Sequence, residues 1–275
     1  MGFPAPQRLN KVHDRGRAAP ARRTPLVAAV VIPVLLLTGC TDDAGPGGDT
    51  ETTTLTVFAA ASLNATFTEI GSQFEAANPG TSVRFDFNGS STLVQQIVEG
   101  APVDVFASAN TATMTTLTEA GMSAGEPIDF ATNVLTIAVA PGNPHGVTGL
   151  ADLQNPELKT VLCAPQVPCG EVAQTVEGAA GVEIEPVSEE QSVTDVVNKI
   201  GSGEADAGLV YVTDVIAADG SVEAVDFPES AQAVNRYPIT TVDGSPHTDV
   251  GRQFVGFVVG PQGQAALAEA GFGQP

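Results

Sequence analysis

From residue 54 onward the chain alternates short β-rich runs with stretches whose apolar residues recur every three or four positions. Thr54 to Ala59 is β-rich; after Ser62, the residues Leu63, Phe67, Ile70 and Phe74 fall at helical spacing, one apolar stripe facing a sheet. Asn78-Pro79-Gly80 stops that helix. Val83, Phe85 and Phe87 alternate with Arg84 and Asp86 as a strand, and Gly89-Ser90-Ser91 opens a second helix carrying Leu93, Ile97 and Val98. The same reading predicts strands at 103–107, 133–140, 160–164 and 207–212. It predicts helices over 111–120 and 170–180, and a further apolar stripe of Val193, Val196, Val197 and Ile200.

Repeated βα units imply an α/β fold with mostly parallel sheets, helices on their faces and a ligand crevice beyond the carboxyl ends of the strands. Two such sheets fit the length. Long β-rich runs at 133–140 and 233–242 read as crossover strands that enclose a central block as a separate lobe. The final helices, near 250–258 and 262–270, pack back on the first lobe. The expected division is therefore 54–132 with 240–275 as lobe 1 and 133–239 as lobe 2. No internal repeat is strong enough to use.

The first 53 residues have another character. Arg22-Arg23 precede Leu26 to Leu37, an apolar run too short to span a bilayer core of about 30 Å as a helix, which reads as the apolar part of a signal peptide over residues 1–39. Leu37-Thr38-Gly39-Cys40 resembles a lipobox, the site where bacterial lipoproteins are cleaved and acylated, so Cys40 becomes the expected first mature residue and membrane anchor. Residues 41–54 contain no large apolar side chain, and 40–53 read as a flexible acidic tether. The expectation is a body held on the outer face of a membrane. Sec and Tat export both remain open.

Charge narrows the partners. Residues 1–39 hold six of the 11 cations and one of the 32 acids, which leaves 5 cations and 31 acids from Cys40 onward. Such a body offers no basic stripe for a nucleic-acid backbone. Catalytic patterns are absent too: no Gly-x-Ser-x-Gly elbow, His-Glu-x-x-His, phosphate loop or dinucleotide loop, and only His145 and His247 beyond the leader to serve as a base near neutrality. Enzyme readings start low: paired carboxylates among the 31 acids stay open, but most acids on an exported acidic protein are solvated surface. Cys163 and Cys169, in an oxidising compartment, read first as a disulfide; zinc is the alternative, and would need ligands that His145 and His247 are not spaced to supply.

Three places share one design: a strand ending in small residues, then a hydroxyl or a free backbone N–H at a helix start. They are Phe58-Ala-Ala-Ala-Ser62, Asn88-Gly-Ser-Ser91 and Val167-Pro-Cys-Gly170. Such termini present unpaired donors and the positive end of the helix dipole, and several converging on one cleft bind an oxyanion without Lys or Arg. For each alone, ordinary N-capping by Ser62 or Ser90 is the plainer account.

Here the chain resembles the substrate-binding proteins of molybdate ABC transporters. The likeness is carried by Phe58-Ala-Ala-Ala-Ser-Leu63, Gly89-Ser-Ser-Thr-Leu-Val-Gln-Gln-Ile97, Gly100-Ala-Pro-Val-Asp-Val-Phe-Ala-Ser-Ala109, Gly208-Leu-Val-Tyr-Val-Thr-Asp214 and Tyr237-Pro-Ile239, in the family's order across 54–275. The resemblance implies the two-lobed type II periplasmic-binding-protein fold: two mixed, mostly parallel sheets with flanking helices, joined by crossover hinge strands. It further implies a monomer that takes up molybdate, and tungstate with it, and delivers the ion to a membrane permease and its cytoplasmic ATPase. No cofactor is implied, and no protein side chain touches the metal. Ser62 and Ser90 would each give a hydroxyl and a backbone N–H, Cys169 and Val193 a backbone N–H, and Tyr211 a hydroxyl. At Cys169 family members often carry alanine, which a backbone donor tolerates. Asp104 matches a family position and reads as structural, since a carboxylate beside a dianion repels it. The alternatives are a same-fold protein for sulfate or another small solute, an extracytoplasmic hydrolase with His145 or His247 in the cleft, and a structural lipoprotein without a ligand.

Overall fold

A computed structural model describes residues 52–275. The leader over 1–39, Cys40 and the tether up to residue 51 lie outside the described residues. The strands in chain order are β1 (Thr53–Ala60), β2 (Thr81–Asn88), β3 (Val105–Ala107), β4 (Ile128–Asn133), β5 (Leu135–Val139), β6 (Thr160–Cys163), β7 (Ser188–Glu190), β8 (Ala207–Tyr211), β9 (Glu223–Val225) and β10 (Asn235–Thr241). The helices are α1 (Asn64–Ala77), α2 (Ser90–Val98), α3 (Thr111–Glu119), α4 (Pro168–Ala180), α5 (Val193–Gly201), α6 (Val212–Ala217), α7 (Thr248–Val259) and α8 (Pro261–Glu269).

The strands form two five-stranded sheets, ordered β2-β1-β3-β10-β4 and β7-β6-β8-β5-β9. In each, three parallel strands are followed by an antiparallel strand that enters from the other sheet's part of the chain. The sheets are thus topological copies: β1 answers to β6, β2 to β7, β3 to β8, β10 to β5 and β4 to β9. This is the two-lobed α/β architecture that the alternation predicts.

Burial explains the strand patterns. Residues 55–60 of β1 are buried on both faces, so this central parallel strand reads as an unbroken apolar run. β2 lies at the sheet edge and keeps the alternation of Val83, Phe85 and Phe87 with exposed Arg84 and Asp86. Phe67 of α1 meets Phe85, Phe130 and Phe254 with ring centroids 6.2, 5.6 and 6.2 Å apart, joining α1, β2, β4 and α7 in one aromatic core. Gly71 lets α1 lie flat on this core, because a Cβ there would stand 2.6 Å from the Phe85 ring. On the other face of the first sheet, α2 and α3 bury Leu93, Ile97, Met114 and Leu117 over Phe106.

Three expected boundaries are corrected. All of β10 pairs with β3 and β4, so residues 235–239 belong to the first lobe and not to the second, and Asn133 likewise ends a strand of the first sheet. The hydrogen-bonding needs of these buried backbones, rather than the onset of a β-rich run, set the crossings at residues 133–135 and 233–235. Thr53, expected in the tether, is the first residue of β1 and donates its N–H to the Gly80 carbonyl (2.8 Å).

Candidate functional site

The carboxyl ends of the parallel strands of both sheets face one another across the crossing strands. Ser62 lies in a short 3-10 turn, Ala61–Leu63, that follows β1. Ser90 is the first residue of α2, Cys169 the second of α4, and Val193 the first of α5. Tyr211 ends β8. A small residue or proline precedes the first three, so the chain turns tightly from strand to helix and leaves the leading N–H groups without intrahelical partners.

All five residues line one small cavity of about 10 Å³ between the lobes. The rest of its wall is alanine, glycine, valine and proline; no Asp, Glu, Lys, Arg or His takes part. Helix starts and hydroxyls are therefore the only polar features of the wall, and both are suited to an anion.

Neither serine caps its helix. The N-cap of α2 is Gly89, and Ser90 Oγ instead accepts the Ala109 N–H (3.0 Å), which leaves its own proton free to donate. Ser62 Oγ lies 3.0 Å from the Tyr237 hydroxyl. Tyr211 Oη accepts from Asn235 Nδ2 (2.6 Å). Burial pushes the Tyr211 and Tyr237 phenols well above the usual tyrosine range, so both remain neutral hydrogen-bond donors at any physiological pH. Behind Tyr211, burial raises Asp214 to about 7, against the opposing pull of the Tyr211 N–H that it accepts (2.9 Å).

The lobes are closed over the cavity. Ser91 Oγ donates to the Gln166 carbonyl (2.9 Å), and Asn110 Nδ2 donates to Glu171 Oε2 (2.5 Å). Gly89 approaches so near that a Cβ there would lie 2.0 Å from the Gln191 carbonyl oxygen. Cys163 and Cys169 are bonded to each other and close the loop that ends at the Cys169 N–H, so their sulfurs are not open to zinc.

Sequence reasoning missed Asn133, Asn235, Asn110 and Glu171, and gave Tyr237 no role. One signal pointed to Tyr237: the chain has only two tyrosines, and both stand at this site, 5.9 Å apart by ring centroid. The histidines lie elsewhere. His145 lies 3.3 Å from Asp206 and His247 3.3 Å from Asp104, and neither lines the cavity, so the hydrolase alternative loses its base. Asp104 is buried at the amino end of β3, where it accepts from the Thr56 N–H (2.7 Å) and Ser245 Oγ (2.5 Å).

Residues 55–273 match the family described as bacterial extracellular solute-binding protein. The molybdate-binding protein ModA of Mycobacterium tuberculosis H37Rv is 46% identical over 254 residues, covering 92% of this chain and 97% of that one. The chain belongs to the ModA family of bacterial extracellular solute-binding proteins. Its relatives are solute-binding proteins, and this solute-binding protein is accordingly not an enzyme. Among solved structures, the periplasmic molybdate-binding protein of Azotobacter vinelandii superposes with a TM-score of 0.68 at 23% identity, over 80% of this chain and 99% of that one. The sulfate-binding protein SubI of Mycobacterium tuberculosis H37Rv superposes with a TM-score of 0.71 at 19% identity, over 80% and 86%. At those identities the likeness is one of fold, the type II periplasmic-binding-protein architecture.

Proposed function

We propose that this protein captures molybdate, and tungstate as its near analogue, in the cavity between its lobes and hands it to a membrane permease driven by a cytoplasmic ATPase. The donors are the hydroxyls of Ser62, Ser90 and Tyr211 and the backbone N–H groups of Ser62, Ser90, Cys169 and Val193. Acylation at Cys40 holds the body on the extracytoplasmic face, where it works as a monomer. The observation that carries the reading is the cavity itself: residues from both lobes meet around a small space whose wall has donors and no formal charge. The names of the 46% identical relatives support the choice of ion.

Hydrogen bonds to a charged group contribute about 1.5–3 kcal/mol each, so seven donors supply upward of ~10 kcal/mol before ordering costs, enough for micromolar binding or better. A wall of donors suits a fully ionised tetrahedral dianion and disfavours hydrogen phosphate, whose proton would meet donors only. Sulfate is also fully ionised, and is rejected by size when the lobes close around the longer metal–oxygen bonds. Because donors come from both lobes, the ion bridges them and stabilises the closed form.

Thermal shift with molybdate, tungstate, sulfate, phosphate and a sugar panel tests this, since a ligand of the native state raises the melting point by mass action. Stabilisation by molybdate and tungstate is expected. Stabilisation by sulfate alone would reassign the ion, and no response to any of the panel would reject the site.

A further inference from the structure

The two points where the chain crosses between lobes each carry an asparagine. Asn133 ends β4, Asn235 begins β10, and they face each other in the ladder between those strands. Both are buried, where an amide side chain is costly unless bonded. Their amide donors reach past their own sheet into one short stretch of the second lobe. Asn133 Nδ2 donates to Thr213 Oγ1 (2.8 Å), and Asn235 Nδ2 donates to Tyr211 Oη (2.6 Å).

The second bond has a directional consequence. An amide nitrogen only donates, so it must occupy the acceptor side of the phenolic oxygen. The Tyr211 proton then has two places to go, the cavity that the side chain lines and the neighbouring Tyr237 hydroxyl, which Ser62 Oγ already engages at 3.0 Å. We propose that Asn235 is a positioning residue: by donating to Tyr211 Oη from the hinge strand, it turns the phenolic O–H into the cavity and toward the captured oxyanion. With its acceptor side taken, Tyr211 offers the ligand a proton and nothing else. The residue thus helps to select a fully ionised dianion over one that brings a proton of its own. Because Asn235 sits on a crossing strand, the donor is held in register with the hinge and not with the second lobe alone.

This inference rests on the oxyanion reading above, and the test separates the two. Molybdate affinity is measured by calorimetry at pH 8 on the full chain and on the variants Asn235→Asp, Asn235→Ala, Tyr211→Phe and the two double variants. Asn235→Asp keeps the size of the side chain but makes it an acceptor when ionised, so it draws the Tyr211 proton away from the cavity; a loss of at least tenfold is expected. Asn235→Ala leaves the phenol free to turn either way, so it loses less affinity than Asn235→Asp, while phosphate competes at least threefold better than in the wild type. A purely packing role would make the truncated Ala variant the weaker binder. In the Tyr211→Phe background, either change at Asn235 should alter affinity by less than twofold.

Unimpaired binding by Asn235→Asp, the reverse order of the Asp and Ala variants, or full additivity with Tyr211→Phe would overturn the inference while leaving the oxyanion reading intact. If Asn235→Asp fails to fold, as judged by its melt without ligand, phosphate competition in Asn235→Ala decides: an unchanged selectivity overturns the proposal. A wild-type chain that does not bind molybdate overturns both.

Discussion

Ser62 and Ser90 carry the donor groups that distinguish this site from an ordinary pair of helix starts. Serine before or at a helix start most often caps it, but Gly89 takes that place in α2 and Ser90 Oγ is held by the Ala109 N–H. On the proposed reading, replacing both serines by alanine removes two hydroxyl contacts to a charged ligand. The expected loss is about 3–6 kcal/mol of molybdate binding, read by calorimetry, with the backbone N–H groups still in place. Asp214 makes a second prediction. Its carboxyl is raised to about 7 in the fold, so between the ordinary aspartate range and pH 7 the native state holds a proton that the unfolded chain has lost. Its contribution is therefore most favourable in acid and is lost as pH rises through about 7. Asp214→Asn should raise the melting temperature relative to wild type more at pH 8 than at pH 5. At this scale legibility was uneven. Ser62, Ser90 and Cys169 were visible because a helix start after a strand makes a local pattern, whereas Asn133 and Asn235 act through contacts that only the crossing of the chain creates.

Helix starts line the cavity from both lobes, and their spacing across the cleft is set by how closely the elements approach. At the start of α2, Gly89 leaves no room for a Cβ beside the Gln191 carbonyl. Its own backbone conformation (φ −57°, ψ 132°) suits alanine, so Gly89→Ala should hinder closure without straining the first lobe. Molybdate affinity should fall at least tenfold while the melt without ligand moves by less than about 3 °C, a stability change below ~1 kcal/mol for a chain of this size. The Cys163–Cys169 bond, six residues apart in sequence, closes a short loop at the start of α4. Loop-closure entropy puts its contribution near 2 kcal/mol, so denaturant melts of the Cys163→Ser/Cys169→Ser variant should show a loss of about that size. The longer elements were legible through their apolar period. β7 and β9 were not: Ser188–Glu190 and Glu223–Val225 are three residues each, too short to show a period, β7 is wholly polar, and both exist as strands only because a neighbouring backbone needs partners. α6 spans six residues, too few to show a helical period, and β4 mixes Asp129, Thr132 and Asn133 with its apolar residues.

Across the whole molecule the two sheets repeat one strand order, although the sequence holds no usable repeat; topology keeps what side-chain identity has lost. The crossing strands were legible as long β-rich runs, but their assignment to a lobe was not, because strand pairing is decided by partners far away in sequence. Charge acts at this scale as well. The chain carries a net charge of −21, and three of its cations, Lys199, Arg236 and Arg252, are paired with carboxylates. A dianion approaching such a body is repelled over the screening distance, which shrinks from about 30 Å at 0.01 M salt to about 8 Å at 0.15 M. Stopped-flow association with molybdate should therefore accelerate as salt is added; a rate that slows instead would mean that a cationic patch guides the ion. The uncharged wall of the cavity has a bearing on the far end of the cycle. A pocket that holds its guest with a counter-ion is left with an exposed charge when the guest departs, and must recruit a proton or another ion before it can relax. Here nothing is left over. On the proposed reading, parting the two halves returns every donor to water, and the protein leaves the transporter in the same electrical state in which it first met its cargo.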